Sequence, residues 1–190
     1  RRAVRRRLVA DVPVGVFLSG GVDSSGITAL AAADLPKGAL HTFSIGFDDP
    51  SYNELPFAEE VARHLGVDHT SRTIEPRVVE HFEHLMHFMD DPIGDFSIFP
   101  TYLVSKLARE HVTVALSGDG GDELFGGYET YLADARARDY ARVPRFAREG
   151  LIEPLVRALR PRERKKGLVN KAKRFVEGLA FPPELGHARW

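Results

Sequence analysis

The sequence predicts an α/β fold built on a parallel sheet and followed by an all-helical stretch, and three observations carry that expectation. Short apolar runs alternate with helical patterns through residues 1–127, at the spacing of β-α-β units. Two of those runs end in glycine-rich turns. From Tyr128 onward the pattern is helical only, with breaks at Pro144, Pro154, Pro161 and Gly167, so residues 128–190 read as a helical part.

Each element follows from local pattern. Arg1 to Ala10 is patterned like a helix already under way, and the chain reads as a fragment of a longer polypeptide. Val14 to Leu18 is a compact apolar run that stops at Gly20 and Gly21, as a buried strand and a tight turn would. A helix starts near Asp23 or Ser24, runs on alanine and leucine to Ala33, and is terminated by Pro36 and Gly38. Leu40 to Phe47 reads as the second strand. Glu54 to Leu65 is an amphipathic helix, with Leu55, Ala58, Val61, Ala62 and Leu65 three and four apart and Gly66 as its stop. His69 to Ile74 is a third strand and Arg77 to Met89 a helix. Asp90 to Phe99, punctuated by Pro92 and Gly94, is irregular and suits a site loop. Thr101 to Arg109 reads as a helix and Val112 to Leu116 as a fourth buried strand, which ends in the glycine and acid cluster Ser117 to Gly127.

At 190 residues and 43% apolar content, the chain can bury one substantial core, and its length favours a single domain. The 27 acidic and 26 basic side chains nearly cancel, so no global field recruits nucleic acid or an anionic membrane. Cysteine is absent, which excludes disulfides, thiolate zinc sites and a cysteine nucleophile within this piece and suits a cytoplasmic location. No apolar stretch is long enough to span a bilayer, and the basic start lacks the apolar run of a signal peptide.

Ser19-Gly20-Gly21-Val22-Asp23-Ser24-Ser25 sits where the first strand must turn into a helix. Glycines there let an anion approach backbone N–H groups, and the helix start adds orphan donors, two serine hydroxyls and the positive end of a dipole. It is a phosphate cradle without a lysine; the P-loop and the dinucleotide Gly-x-Gly-x-x-Gly pattern are both absent. Asp23 is the exception, because a carboxylate repels a phosphate unless a cation stands between them. Magnesium favours carboxylate and phosphate oxygens together. A plain helix cap at Asp23 and Ser24 is the alternative.

The segment from Leu116 to Tyr128 is dense in glycines and acids directly after an apolar strand. Asp119, Asp122 and Glu123 exceed what a helix cap needs and would repel one another without a cation or a cationic substrate group.

Together the motifs resemble the ATP-pyrophosphatase superfamily, whose mark is Ser-Gly-Gly-x-Asp-Ser, and within it the asparagine synthetase family, marked by Ser-Gly-Asp/Glu-Gly-x-Asp-Glu and Phe-Gly-Gly-Tyr. The resemblance covers essentially the whole chain. It implies an adenine-nucleotide alpha hydrolase-like sheet and a PP-loop enzyme that adenylates the aspartate side chain to β-aspartyl-AMP, releases pyrophosphate, and lets glutamine-derived ammonia form asparagine and AMP. It implies ATP as substrate with Mg2+, and Ser19, Gly20, Gly21, Asp23, Ser24 and Ser25 on the β- and γ-phosphates. Asp23 and Asp122 match the magnesium-holding pair. Leu18, Ile45, Ser117 and Gly118 match positions that contact adenosine through the backbone. Asp119 matches the acid associated with forming the adenylate, which is often glutamate in relatives and is one methylene shorter here.

The same resemblance places a glutaminase domain upstream of Arg1 and a pyrophosphate-stabilising lysine beyond Trp190, leaves room for a homodimer, and implies that the isolated piece turns over nothing. Its rivals are a β-lactam synthetase or another amidotransferase acting on a different carboxylate, and a nucleotide-binding module without activity. His81, His84 and His87, three apart on a helix, fan across roughly 120 degrees and do not converge on one ion. Arg160, Arg162, Arg164, Lys165, Lys166, Lys171, Lys173 and Arg174 read as a solvated helical face.

Overall fold

A computed structural model describes residues 1–50, 53–74, 78–91, 95, 97–160 and 167–182, apart from the side chains of 78–81. Pro92, Gly94, Pro161, Arg162, Arg164, Lys165, Lys166 and the His81 side chain, all singled out by the sequence, lie outside the described residues. The chain divides into two compact units, Arg1–Asp119 and Gly120–Trp190.

The first unit is an α/β sandwich. Its elements are α1 (Arg2–Arg7), β1 (Val14–Phe17), α2 (Val22–Ala32), β2 (His41–Phe47), α3 (Leu55–Leu65), β3 (Asp68–Ile74), α4 (Val78–His87), α5 (Ile98–Arg109) and β4 (Val114–Leu116). All four strands are parallel, in the order β3-β2-β1-β4. The sheet grows from β1 through β2 to β3, and the chain then returns to the other side of β1 to add β4. The point where the order reverses therefore lies between β1 and β4, paired in register from Val14 opposite Val114 to Val16 opposite Leu116.

Alternation along the strands sorts the core onto two faces. Val16 with Ala31 and Leu40, and Leu18 with Ala58 and Ala62, pack beneath α2 and α3. Phe43 packs with Leu107, Ala108 and Val112 under α5, with Phe17 and Ile45 against it. Burying the Phe43, Leu18 and Leu107 side chains fully contributes roughly 1.5–3 kcal/mol each. α3 stops at Gly66, whose φ of 64° is left-handed.

Two elements differ from expectation. α5 begins at Ile98, ahead of the predicted Thr101, because Pro100 falls in the first turn, where a missing N–H breaks no helical bond. β4 is shorter than Val112 to Leu116 and not fully buried, with Val114 40% exposed. Its place at the end of the strand order pairs it with β1 on one side only, so its apolar run is not matched by burial.

The second unit is helical. It comprises α6 (Gly121–Phe125), α7 (Glu129–Tyr140), α8 (Arg145–Ala147), a π-helical turn over Arg148–Ile152, α9 (Glu153–Ala158) and α10 (Leu168–Leu179). α10 is tied to its neighbours by specific contacts. Phe175 meets Tyr140 of α7 edge to face at 5.8 Å. Lys173 donates to the carbonyls of Arg157 and Leu159 at the end of α9, where a cation complements the helix dipole. Lys171 pairs with Glu129 at 2.7 Å.

Candidate active site

β1 delivers its chain end into a loop that closes on itself. The Leu18 N–H donates to the Phe43 carbonyl at 2.9 Å, and the Ser44 hydroxyl donates to the Leu18 carbonyl. Beyond that anchor, Ser24 Oγ accepts the Ser19 N–H at 3.2 Å and lies 2.9 Å from Ser19 Oγ and 3.2 Å from the Gly21 carbonyl. Gly20 turns the chain with φ +81° and lies flat on α3, so that a β-carbon there would sit 2.6 Å from the Phe57 carbonyl carbon.

α2 then starts without a side-chain cap. Its first helical bond runs from the Ser25 N–H to the Gly21 carbonyl at 3.0 Å. The N–H groups of Val22, Asp23 and Ser24 therefore fall outside helical pairing, at the positive end of the helix. That is the local chemistry of an anion site.

The turn after β4 comes to the same place. The Ser117 hydroxyl donates to Asp119 Oδ2 at 2.8 Å, which holds the carboxylate against the turn. Gly118 stands over the start of α2, where a β-carbon would lie 3.0 Å from Ser24 N and 3.2 Å from Asp23 Cβ. The two loops are thus packed together at the reversal point of the sheet, where ligands of open α/β folds bind.

Between them opens a cavity of about 350 Å³, in the size range of small-ligand sites. Its apolar lining includes Phe17, Leu18, Ile45, Phe47, Pro100 and Val104. Ser19, Gly21, Asp23, Ser24, Ser117, Gly118 and Asp119 supply its polar lining. Glu54 and Thr101 also line it. Neither stands out in the sequence; Glu54 arrives at the start of α3 and Thr101 on the first turns of α5.

Two expected residues of the first unit, Ser25 and Gly20, do not line the cavity. Ser25 faces a second depression between α2 and α3, with Glu60, Arg63 and His64, and its buried hydroxyl has no hydrogen-bond partner among the described residues. Gly20 faces α3 and does not line the cavity. Asp122 belongs to the helical unit. There the Tyr128 hydroxyl donates to Glu123 Oε1 at 2.5 Å. That hydrogen bond holds the Glu123 carboxyl below its ordinary range and pushes the Tyr128 phenol up to about 12.

Charge in the cavity is one-sided. Among the described residues, the ionisable side chains lining it are Asp23, Glu54 and Asp119, with no lysine, arginine or histidine. A phosphate chain entering such a site needs a cation between it and the carboxylates. Among the described residues no cluster of three or more His, Cys, Asp or Glu is arranged to hold an ion alone. Those residues fit magnesium, which takes few protein carboxylates and draws its other ligands from phosphate and water.

Of the histidine run, His84 and His87 have aromatic neighbours. His84 packs against Phe88 and Tyr102, and His87 against Phe88. No helix among the described residues is long and apolar enough to cross a membrane.

Known proteins resemble this chain in sequence. The family model described as asparagine synthase matches residues 1–183. A putative asparagine synthetase [glutamine-hydrolyzing] 2 of Methanocaldococcus jannaschii is 44% identical over 147 residues, which is 77% of this chain and 28% of that protein. Asparagine synthetase [glutamine-hydrolyzing] 1 of Bacillus subtilis is 42% identical over 143 residues, covering 75% of this chain and 22% of that protein. The chain thus spans about a quarter of the length of these relatives. Among solved structures, the NH3-dependent NAD synthetase of Campylobacter jejuni matches with a TM-score of 0.46 at 15% identity, over 95% of this chain and 91% of that one.

Proposed function

We propose, on the premise that this chain belongs to the asparagine synthase family, that it is the ATP-using part of a ligase that activates a carboxylate as an acyl-adenylate and then forms an amide. The observation that carries this reading is the cavity at the β1/β4 reversal point, lined by apolar side chains together with a capless helix start and carboxylates. An adenosine would lie against the apolar lining, with the backbone at Leu18, Ile45, Ser117 and Gly118 beside it. The phosphates then reach the N–H groups after Gly21.

In the finer form, the acid is aspartate and the product asparagine. An aspartate side-chain oxygen attacks the α-phosphorus, the bond from that phosphorus to the bridging oxygen breaks, and pyrophosphate leaves with the electron pair. Ammonia then attacks the acyl carbon, AMP departs, and the nitrogen loses a proton. Both relatives are named as glutamine-hydrolysing, which supports glutamine as the ammonia source through a glutaminase domain of the same polypeptide. Asp23 and Asp122 would hold magnesium, which when bound neutralises charge on the departing pyrophosphate. The Ser19 and Ser24 hydroxyls and the α2 N–H groups orient that leaving group. Asp119, which accepts a hydrogen bond from the Ser117 hydroxyl, would receive the substrate amine.

The test is incorporation of labelled pyrophosphate into ATP by the full-length protein. Exchange that requires aspartate and magnesium, and does not require glutamine, is the expected result. Exchange that depends on another carboxylic acid keeps the adenylation and removes aspartate. No exchange with any acid overturns the ligase reading.

A further inference from the structure

Gly127 and the Asp122 carboxylate compete for one small space in the helical unit. We infer that Gly127 is a positioning residue, whose missing side chain leaves the room in which the Asp122 carboxylate is held; this rests on the proposed role of Asp122 toward the cation. A β-carbon on Gly127 would come 2.0 Å from Asp122 Oδ1 and 3.1 Å from its Cγ, but 3.4 Å from its Cα. The last distance is ordinary contact, so the conflict is confined to the carboxylate. Gly127 is not among the glycines with positive φ, and its requirement is for space alone.

The surrounding loop holds both residues in place. The Gly127 N–H donates to the Asp122 carbonyl at 3.1 Å, and the Leu124 N–H to the Gly120 carbonyl at 3.1 Å. Tyr128 closes the loop onto Glu123. A carboxylate is the free end of a side chain that can rotate, so an added methyl group is relieved by its turning away while the helix stays put. The substitution is mild for folding and costly for whatever the carboxylate holds. Gly126 is its complement: the nearest atom to a β-carbon there is Tyr131 Cδ2 at 3.8 Å, but φ is +69°, so alanine strains the backbone and leaves Asp122 alone.

The test compares Gly127→Ala, Gly126→Ala, Asp122→Ala and the Asp122→Ala/Gly127→Ala double variant in the full-length protein. Three quantities are read: melting temperature, Mn2+ affinity in the presence of ATP by electron paramagnetic resonance, and the Mg2+ concentration giving half-maximal pyrophosphate exchange. Gly127→Ala is expected to weaken Mn2+ binding and raise the Mg2+ requirement about tenfold or more while melting near the parent. Gly126→Ala melts lower and leaves both cation readouts unchanged. The double variant binds Mn2+ no worse than Asp122→Ala. Should Gly127→Ala fail to fold, recovery of folding in the double variant supports the inference and continued failure overturns it. Parent-like cation readouts in Gly127→Ala, beside a loss in Asp122→Ala, overturn the inference alone. Parent-like Mn2+ binding in Asp122→Ala overturns the cation role of Asp122, and the inference with it.

Discussion

Gly118 and Asp23 stand so close that a β-carbon on the glycine would lie 3.2 Å from that of the aspartate and 3.0 Å from the Ser24 nitrogen. One of those neighbours is main chain at the uncapped start of α2, so it can yield only by moving the N–H groups that face the cavity. Gly118→Ala is therefore expected to cost about 1–3 kcal/mol of stability through overpacking. It should lower pyrophosphate exchange at least about tenfold. Denaturant melts and exchange assays on the same preparation check both, and a variant with unchanged exchange separates this contact from the chemistry.

Gly20 and Gly38 give a paired test of strain against crowding. Both have positive φ, +81° and +77°, but a β-carbon on Gly20 runs into the Phe57 and Ala58 backbone, whereas nothing lies within 4 Å at Gly38. Gly38→Ala should cost only the left-handed penalty of roughly 1–2 kcal/mol. Gly20→Ala adds overpacking of about 1–3 kcal/mol. Urea melts of the two variants should differ in that direction; equal losses would show that α3 does not brace the loop.

His69 should give the first unit an acid-sensitive stability. Its Nδ1 lies 2.9 Å from Thr42 Oγ1, whose own proton goes to the Asp68 carbonyl, so the ring nitrogen donates. Its Nε2 is buried with no partner among the described residues. Burial pushes the imidazole below its ordinary value, against the opposing pull of Glu59 and Asp68. The unfolded chain then binds more protons than the folded one, so stability is full above about pH 6.5 and is lost as pH falls through the folded-state value. Asp34 beside Arg1 and Glu110 beside Arg72 are carboxyls held below their ordinary range, and they act only at lower pH. Melts at about pH 7.5 and pH 5.5 should show the fall. His69→Asn, which can keep a donor to Thr42, should flatten it, and an equal slope in both proteins would assign it elsewhere.

Much of this was legible in the chain, and the exceptions have two causes. Apolar runs and glycine stops placed the strands because period and punctuation are local signals. The two glycine-rich turns were legible in the same way, whereas the approach of Gly118 to Asp23 depends on the strand order that sets β4 beside β1. Glu54 and Thr101 gave no signal, because tertiary packing alone brings the starts of α3 and α5 to the cavity. Ser25 was grouped with Ser24 by adjacency, yet one helical step turns a side chain by about 100°, enough to carry it from the cavity to the α3 side.

Asp23 offers the sharpest separation of function from folding. Its carboxylate has no hydrogen-bond or ion-pair partner among the described residues, and it lies in the first turn of α2 at the mouth of the anion site. Asp23→Ala removes at most a helix-dipole contribution of about 0.3–1 kcal/mol. If the side chain helps hold the cation that offsets charge on the leaving pyrophosphate, its loss removes several kcal/mol from the transition state, at least about a thousandfold in exchange rate. Asp23→Asn keeps the shape without the charge and should fail as badly. Matched melting curves with exchange abolished are the expected pair; an Asp23→Asn protein that exchanges at the parent rate would leave the carboxylate a helix-start residue and nothing more.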